Sequence, residues 1–228
     1  MTSDTRFIHL HTHSHYSLLD GLSKVNEMVA LAKKYDMPAL GLTDHGNLHG
    51  ALEFYKTCKE AGIKPIIGLE AYVTPDSRHN KRPNIDTTRY HLTLLAKNAV
   101  GYKNLLKLVT YSYLEGYYYK PRIDKELMRK YSEGLICLSG CFGSELSRAL
   151  RKDDEEEAER VIREHQEIYG AENYFLEIMH HPGVEGIEKV RARIIALGKR
   201  LNIPLVGTQD SHYLHSDDQR AHETLLAI

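Results

Sequence analysis

Residues 38–73 have the sequence PALGLTDHGNLHGALEFYKTCKEAGIKPIIGLEAYV. The apolar run Pro38–Thr43 predicts a strand, Leu48–Ala61 predicts a helix, and Lys64–Val73 predicts the next strand. Apolar runs without strict alternation are typical of parallel strands covered on both faces, and a helix is the usual crossover between such strands. This stretch therefore predicts an α/β fold.

The same alternation continues along the whole chain. The predicted strands are Arg6–Leu10, Pro38–Thr43, Lys64–Val73, His91–Ala96, Gly134–Ser139, Tyr174–Ile178 and Pro204–Thr208. The predicted helices are Val25–Tyr35, Leu48–Ala61, Val100–Leu114, Glu155–Tyr169 and Gly186–Leu201. Seven such strands predict one domain over residues 1–228, a distorted (β/α)7 barrel with parallel strands and a functional site at their C-terminal ends. An open doubly wound sheet is the alternative. Pro75–Tyr90 and Tyr117–Asp124 are predicted to be irregular.

Composition narrows the class of protein. The chain has 228 residues, of which 42% are hydrophobic, enough for one sizeable core. A net charge of -1 gives no overall basic field for nucleic acid, so a polyanion would need local charge or bound metal. Three Cys and no signal or transmembrane stretch predict a cytoplasmic protein without a disulfide framework or a membrane partner. Fourteen His against four Phe and no Trp favour a metal site.

Two pairs of metal-binding residue types frame the chain. His11 and His13 follow the first apolar run, and Asp210 and His212 follow the last. Residues i and i+2 of a strand point to one face, so each pair offers two ligands in one direction. Most of the candidates between these pairs also follow apolar runs: Asp20, Asp44, His45, Glu70, His91 and Cys141. Ligands of this kind gathered at strand ends are typical of multinuclear metal hydrolases, and imidazole with carboxylate suits Zn, Mn or Fe.

Short motifs around these residues resemble the polymerase and histidinol phosphatase (PHP) domain family. The motifs are His11-Thr12-His13, Asp20-Gly21, Thr43-Asp44-His45-Gly46-Asn47, Gly68-Leu69-Glu70, Ser139-Gly140-Cys141 and Asp210-Ser211-His212. Tyr118-Tyr119-Lys120-Pro121-Arg122 and the final segment 221–228 are similar to the branch at the N terminus of bacterial DNA polymerase III alpha subunits. The resemblance extends from about Phe7 to the last residue.

The resemblance implies two or three divalent ions, Zn or Mn, with Fe as a further candidate. His11, His13, Glu70 and Asp210 would hold one ion and form the catalytic set. Glu70 would bridge to a second ion, completed by His91 and Cys141, and Asp20, His45 and His212 would hold a third. Asp20 and Cys141 stand where small-molecule phosphatases of the family usually have His, which is typical of the polymerase branch.

The resemblance also implies an activity and partners. The activity would be metal-dependent phosphoester hydrolysis, as a 3′–5′ exonuclease that proofreads single-stranded DNA ends. The partners would be DNA, the rest of a polymerase alpha subunit of which this chain is a fragment, and other replicase subunits such as a separate proofreading exonuclease. Lys120 and Arg122 would hold phosphates while tyrosines stack on bases, although a packed surface loop explains these residues equally well.

Two alternatives to the hydrolase stay open. The domain could be a catalytically silent, metal-stabilised module that docks a separate exonuclease, or a free-standing phosphatase of small phosphate esters. The remaining histidines and cysteines that we considered are assigned supporting or structural roles, or weaker ligand roles. His9 is a candidate for supporting a ligand, and His180 and His181 form a tempting but weaker pair. His49, His165, His215 and His222 are interpreted as structural, and Cys58 and Cys137 as core residues.

Overall fold

The computed structural model describes residues 7–181 and 183–228. Its strands are β1 (Ala39–Leu42), β2 (Lys64–Val73), β3 (Tyr90–Ala96), β4 (Arg122–Ile123), β5 (Leu135–Leu138), β6 (Tyr174–Ile178) and β7 (Leu205–Gly207). Its α-helices are α1 (Val25–Lys34), α2 (Ala51–Ala61), α3 (Ala99–Leu114), α4 (Lys125–Lys130), α5 (Glu145–Arg151), α6 (Glu155–Tyr169), α7 (Ile187–Leu201) and α8 (Gln219–Leu226).

The strands form one sheet in the order β1-β2-β3-β5-β6-β7, with β4 beside the end of β2. The predicted α/β class is confirmed, but the prediction that all strands are parallel is wrong. β3 runs antiparallel to both of its neighbours, β2 and β5, while the other pairs are parallel. Residues 74–89 connect β2 to β3 and contain no helix. A helical crossover is the usual connection between parallel neighbours, and antiparallel neighbours do not need one.

The predicted first strand is replaced by a hydrogen-bonded connector. Arg6 lies outside the described residues, and residues 7–10 form no strand. The amide of Gly41 donates to the carbonyl of His9 at 2.7 Å, and the amide of His13 donates to the carbonyl of Ser211 at 2.8 Å. An isolated parallel bridge joins Thr12 to Ser211. Residues 9–13 therefore connect β1 with the segment after β7 and curl the sheet towards a barrel.

Apolar side chains form two main cores and a small third cluster of Cys141, Met179 and Ile187. The larger core packs strands β2, β3, β5 and β6 against helices α3 to α7, and the smaller packs β1 against α1 and α2. Val25 and Phe54 of the smaller core are fully buried. Buried polar residues of the sheet, such as Glu70, Thr93 and Glu177, belong to neither core. In residues 7–181 and 183–228, the helices lack the length and apolar character that crossing a membrane requires.

Candidate metal centre

The structure gathers the four residues of the predicted catalytic set at the C-terminal side of the sheet. One ligand atom from each of His11, His13, Glu70 and Asp210 lies within 4.8 Å of the others. His11 Nε2 is 3.3 Å from both Glu70 Oε1 and Asp210 Oδ1. His13 Nε2 is 3.4 Å from Glu70 Oε2 and 3.1 Å from Asp210 Oδ1. Ligands bound at about 2.0–2.2 Å to one tetrahedral ion are separated by roughly 3.3–3.6 Å. Three of the four distances fall in this range, and the fourth, at 3.1 Å, is slightly shorter.

Glu70 lies at the middle of the centre and faces a second group. His91 Nδ1 is 3.1 Å and Cys141 Sγ is 3.3 Å from Glu70 Oε1. The imidazole of His45 approaches from the other side, with Nδ1 2.6 Å from Glu70 Oε2. His45, Glu70 and His91 form a group that could hold an ion. The Glu70 carboxylate is therefore placed between two groups of ligands, as a bridging residue requires.

A third group surrounds Asp20. Its Oδ2 is 2.6 Å from His45 Nε2, and its Oδ1 is 3.5 Å from His212 Nε2. The two imidazoles approach each other at 3.5 Å, and His13, His45 and His212 also form a possible metal-binding group. The structure thus brings together all nine candidate ligands: His11, His13, Asp20, His45, Glu70, His91, Cys141, Asp210 and His212. Their role as ligands stays a prediction.

The pattern of unsatisfied atoms shows that these residues fit a metal. Five buried side-chain atoms of the centre lie 2.6–3.4 Å from another of the five but lack the geometry of a hydrogen bond: His11 Nε2, His13 Nε2, His45 Nδ1, Glu70 Oε2 and Asp210 Oδ1. A buried polar atom without a partner costs about 1–3 kcal/mol, and such atoms are rare in native proteins. Unpaired nitrogen and oxygen atoms that point at one another from several chain segments are what a bound cation would satisfy.

Hydrogen bonds outside the centre decide which atoms face it. His13 Nδ1 forms a hydrogen bond of 3.0 Å with Ser17 Oγ, which leaves Nε2 for the centre. Ser17 and Ser14 in turn donate to the buried carboxylate of Asp44 at 2.8 and 3.0 Å. Asp44, a candidate from the sequence, therefore holds the turn that carries His13 and is not positioned as a ligand. His212 Nδ1 is fixed in a similar way, by donation to the carbonyl of Asp210 at 2.9 Å.

Glu177 of β6, which no sequence motif marks, contacts one of the candidate ligands. Its buried carboxylate accepts a hydrogen bond of 2.7 Å from His11 Nδ1, which turns Nε2 towards Glu70 and Asp210. Thr208 Oγ donates to the same carboxylate oxygen at 2.6 Å, and Thr93 Oγ donates to the other at 3.2 Å. A carboxylate that accepts from the second nitrogen of a metal-binding histidine fixes the ring and raises its basicity.

Two backbone conformations at the centre are unusual. Asp210 has φ +50°, a left-handed conformation that is uncommon outside glycine and that often marks functional sites. Gly46, directly after His45, has φ +62°. A Cβ at Gly46 would lie 2.8 Å from Pro121 and 3.2 Å from the Tyr72 ring, so a side chain at this position is excluded. These backbone positions aim Asp210 and His45 into the centre.

Without metal, the buried charges strongly perturb one another. Burial opposes the charged form of His45, but the carboxylates of Glu70 and Asp20 outweigh this effect and raise its pKa to about 10. Burial and the nearby charge of His45 lower the pKa of His13 to about 3. Burial, together with the charge of Glu70, raises the pKa of the Cys141 thiol well above its usual value. Metal binding would therefore displace protons from several of these groups.

A pocket of about 330 Å³ opens beside the Asp20 end of the centre. Asp20 and His45 form part of one wall, and Tyr72, Tyr113, Tyr117, Tyr119 and Lys120 line much of the rest. The ammonium group of Lys120 lies 5.7 Å from the centre of the Tyr72 ring. Aromatic faces next to a basic side chain suit the bases and phosphates of single-stranded nucleic acid. We call this cavity the tyrosine pocket.

Arg122 does not line the tyrosine pocket, and this corrects the expectation that it contacts substrate. The side chain is fully buried. Its guanidinium donates to the carbonyls of Gly116, Asp86 and Asn80 at 2.9, 2.7 and 2.8 Å. These bonds tie the irregular segment between β2 and β3 to the loop before β4. Arg122 is therefore engaged in structural contacts, and we retain only Lys120 as a candidate substrate contact.

Two other histidines, His180 and His165, are held away from the centre. His180 pairs with Glu188 at 2.9 Å and with Arg191 at 2.9 Å on an exposed surface. His165 is buried and shares a hydrogen bond of 2.8 Å with the carbonyl of Val161. Within residues 7–181 and 183–228, no hydrogen bond, ion pair or ring contact joins His9 or His180 to the nine candidate ligands. The supporting role considered for His9 stays a prediction.

A family model settles the classification of the chain. The model of the PHP domain matches residues 9–181. The chain belongs to the PHP domain family. The match begins just before His11 and includes all but two of the nine candidate ligands, Asp210 and His212.

Curated relatives of this PHP domain are DNA polymerase III alpha subunits. The subunit of Borreliella burgdorferi is 46% identical over 229 residues, which cover 100% of this chain and 20% of the relative. The subunit of Treponema pallidum is 48% identical over 97% of this chain and 19% of its own length. The subunit of Thermus aquaticus is 44% identical over 100% and 19%. The chain thus spans about a fifth of the length of these relatives.

Solved structures with the same fold are more distant in sequence. A protein of Bifidobacterium adolescentis assigned as a metal-dependent phosphoesterase superposes with a TM-score of 0.60 at 11% identity, over 97% of this chain and 96% of that one. A two-domain protein of Bacteroides vulgatus, containing a predicted PHP-like metal-dependent phosphoesterase, gives a TM-score of 0.52 at 16% identity, over 90% and 51%. This PHP domain therefore shares its fold with proteins assigned to that class.

Proposed function

We propose that this PHP domain is a metal-dependent phosphoesterase that removes nucleotides from single-stranded 3′ ends of DNA, as part of a bacterial DNA polymerase III alpha subunit. The observation that supports the proposal most directly is the convergence of five buried, unpartnered ligand atoms around Glu70. Similarity to polymerase subunits along the whole chain favours DNA over small phosphate esters as the substrate. The expected partners are the rest of that subunit and other replicase subunits.

The nine candidate ligands would hold two or three Zn or Mn ions, with Fe as a further candidate. Bound ions of this type supply an activated water molecule and offset the negative charge of the phosphate. Glu70, between two groups of ligands, would fix the spacing of neighbouring ions. Glu177 would orient His11, and the residues of the turn at Ser17 would orient His13. The proposed catalytic set is His11, His13, Glu70 and Asp210.

The tyrosine pocket would hold the DNA end beside this centre. Tyr119 is 67% exposed, so its ring is free to meet a base. Each base stacked on an aromatic ring contributes about 1–3 kcal/mol to binding. Lys120 would contact a backbone phosphate at the mouth of the pocket. Since Asp20 and His45 belong to the same wall, a strand held there would end at the metal centre.

Replacing the central carboxylate tests the proposal. Glu70→Gln keeps the shape of the side chain but removes the charge that two ions would share. We expect turnover of a 3′-labelled single-stranded oligonucleotide with Mn or Zn to fall by at least about a hundredfold, because metal affinity and water activation are lost together. Glu60→Gln, an exposed carboxylate on α2, is the matched control and should cleave at the wild-type rate.

A chelator should abolish the wild-type activity, and added Mn or Zn should restore it. If metal-replete wild-type protein cleaves no faster than Glu70→Gln, the domain is not a hydrolase of DNA. In that case the alternative of a metal-stabilised docking module would become the better explanation, provided that elemental analysis still finds bound ions.

A further inference from the structure

Helix α8 brings an additional histidine to the Asp20 end of the metal centre. His222 lies on this helix, beyond the nine candidate ligands and beyond the segment that the family model matches. Its ring centre is 5.6 Å from that of His212 and 5.2 Å from that of Tyr213. Only 15% of the side chain is exposed. From its sequence position this residue was interpreted as structural, because it falls on a helix or loop and not at a strand end.

The position of one atom of His222 requires an explanation. His222 Nε2 is buried and has no hydrogen-bond partner, like the five unpartnered atoms around Glu70. It faces Asp20 Oδ1 at 3.7 Å, which is too long for a hydrogen bond. Two ligands of one ion, each bound at about 2.0–2.2 Å, lie roughly 3.3–3.6 Å apart in tetrahedral geometry. The observed separation is close to that range.

The surroundings of Asp20 provide the remaining ligands of a complete site. The two oxygens of this carboxylate face three imidazoles, with Oδ2 near His45 and Oδ1 near both His212 and His222. Three imidazoles and one carboxylate form a four-ligand set of the types that Zn and related divalent ions bind. The three ligands implied by the family resemblance would by themselves leave one position open.

We propose that His222 is a tenth metal ligand, which completes the ion site formed by Asp20, His45 and His212. The proposal rests on the function proposed above, since it requires the ions of that centre. A site filled by four protein ligands keeps no open position, which is typical of structural rather than catalytic zinc. This ion would then hold α8 over the centre, while the group of Glu70, His91 and Cys141, with three protein ligands, keeps a position open for water or phosphate.

The first test counts ions and measures no activity. Zn is added to four proteins, unbound Zn is removed, and the number of ions per chain is measured. The four are the wild type, His222→Ala, His212→Ala and, as a control at an exposed histidine, His79→Ala. Alanine preserves helix α8, because it has the highest helix propensity. We expect His222→Ala and His212→Ala to lose one ion per chain, or to bind it at least tenfold more weakly, and His79→Ala to match wild type.

Rescue and protection distinguish a ligand from a packing residue. Added imidazole should restore the missing ion to His222→Ala, because it can occupy the space of the deleted ring. Loading with Zn should slow amide exchange in residues 219–226 of the wild type, and should have no such effect in His222→Ala. Full ion content and wild-type affinity in His222→Ala would overturn the inference.

The failure of this inference is separable from the failure of the proposed function. Wild-type protein that binds no ion at all contradicts the proposed hydrolase and the tenth ligand together. Wild-type protein whose ions are unaffected by His222→Ala contradicts only the tenth ligand. Loss of an ion that imidazole does not restore, with an unchanged circular dichroism spectrum, would assign His222 to packing and would also overturn the inference.

Discussion

The hydrogen bond from His11 to Glu177 should control metal affinity without any contact between Glu177 and the ion. The carboxylate lies behind the ring, 2.7 Å from Nδ1, while Nε2 faces the centre. Replacing it tests whether this support contributes to binding or only fills space. Two variants separate charge from geometry: Glu177→Gln keeps the shape of the side chain, and Glu177→Ala removes every acceptor.

The contacts of Glu177 set the expected sizes. In Glu177→Gln the amide oxygen can still accept from His11 and Thr208, and the amide nitrogen can donate to Thr93, so mainly the negative charge is lost. Loss of such a supporting partner typically weakens metal binding by about 10–100-fold. We expect the lower end for Glu177→Gln, about tenfold or 1.4 kcal/mol. Glu177→Ala leaves the His11 N–H buried and unpaired, so we expect about a hundredfold.

The pH dependence of metal affinity provides a second check on the role of Glu177. Burial opposes the charged form of His11, but Asp210, Glu177 and Glu70 together raise its pKa well above the usual value. In the wild type a proton therefore competes with the metal ion for the His11 ring. The negative charge of Glu177 strengthens the binding of the proton and of the metal ion alike. Removing the charge of Glu177 lowers the pKa of His11, so the proton competes less strongly as well. The loss of apparent affinity in Glu177→Gln should consequently be smaller at pH 7 than at pH 9.

The assay is a competition titration of Zn against a chromophoric chelator, repeated from pH 7 to pH 9. Glu172→Gln, which changes an exposed carboxylate near β6, is the control and should match wild type. Wild-type affinity in both Glu177 variants would refute the reasoning, because it would show that the orientation of His11 does not depend on this carboxylate.

Two further predictions concern the substrate and stability. Lys120→Ala should raise KM for single-stranded DNA about fivefold with little change in kcat, because it removes a phosphate contact outside the reacting centre. Lys103→Ala, which changes an exposed residue of α3, is the control. Equal KM values for Lys120→Ala and the wild type would show that Lys120 does not contact the substrate. Burial, together with the charge of Lys125, lowers the pKa of His165 to about 3. The stability that neutral His165 provides is therefore complete above its unfolded pKa of about 6.5 and is lost as pH falls from there towards 3. The effect is at most about 5 kcal/mol, since one pKa unit is about 1.4 kcal/mol. Urea unfolding with chelator present should thus give a shallower acid slope for His165→Leu, and parallel slopes would contradict the assignment.

The sequence predicts where the strands and helices lie better than how they connect. Lys64–Val73 and Glu155–Tyr169 match their predicted bounds, because apolar periodicity is a local property of the chain. The direction of β3 depends instead on what joins it to β2. The absence of a helical pattern in residues 75–90 was visible in the sequence and favoured an antiparallel pair, but the connection is also long enough for a parallel crossover, so the direction of β3 did not follow from it.

The sequence did not distinguish the burial of Arg122 from the exposure of Lys120. Lys120 and Arg122 are two residues apart, and this spacing predicts one shared face only where the strand is regular. β4 begins at Arg122, while Tyr119 just before Lys120 has φ +60°. The chain turns between the two basic residues, so one reaches the pocket and the other is buried. Periodicity cannot be applied across such a turn.

Glu177 shows what residue types alone can and cannot indicate. It interrupts the apolar run Tyr174–Ile178, whose strand lies within the sheet between β5 and β7. A carboxylate is almost never fully buried without a partner, so its place in this run was a signal of a buried interaction. The partner could not be inferred, because His11 lies 166 residues away and meets Glu177 only when the sheet curls. Candidate ligands can therefore be found from motifs, whereas the residues that aim them depend on the closed shape of the fold.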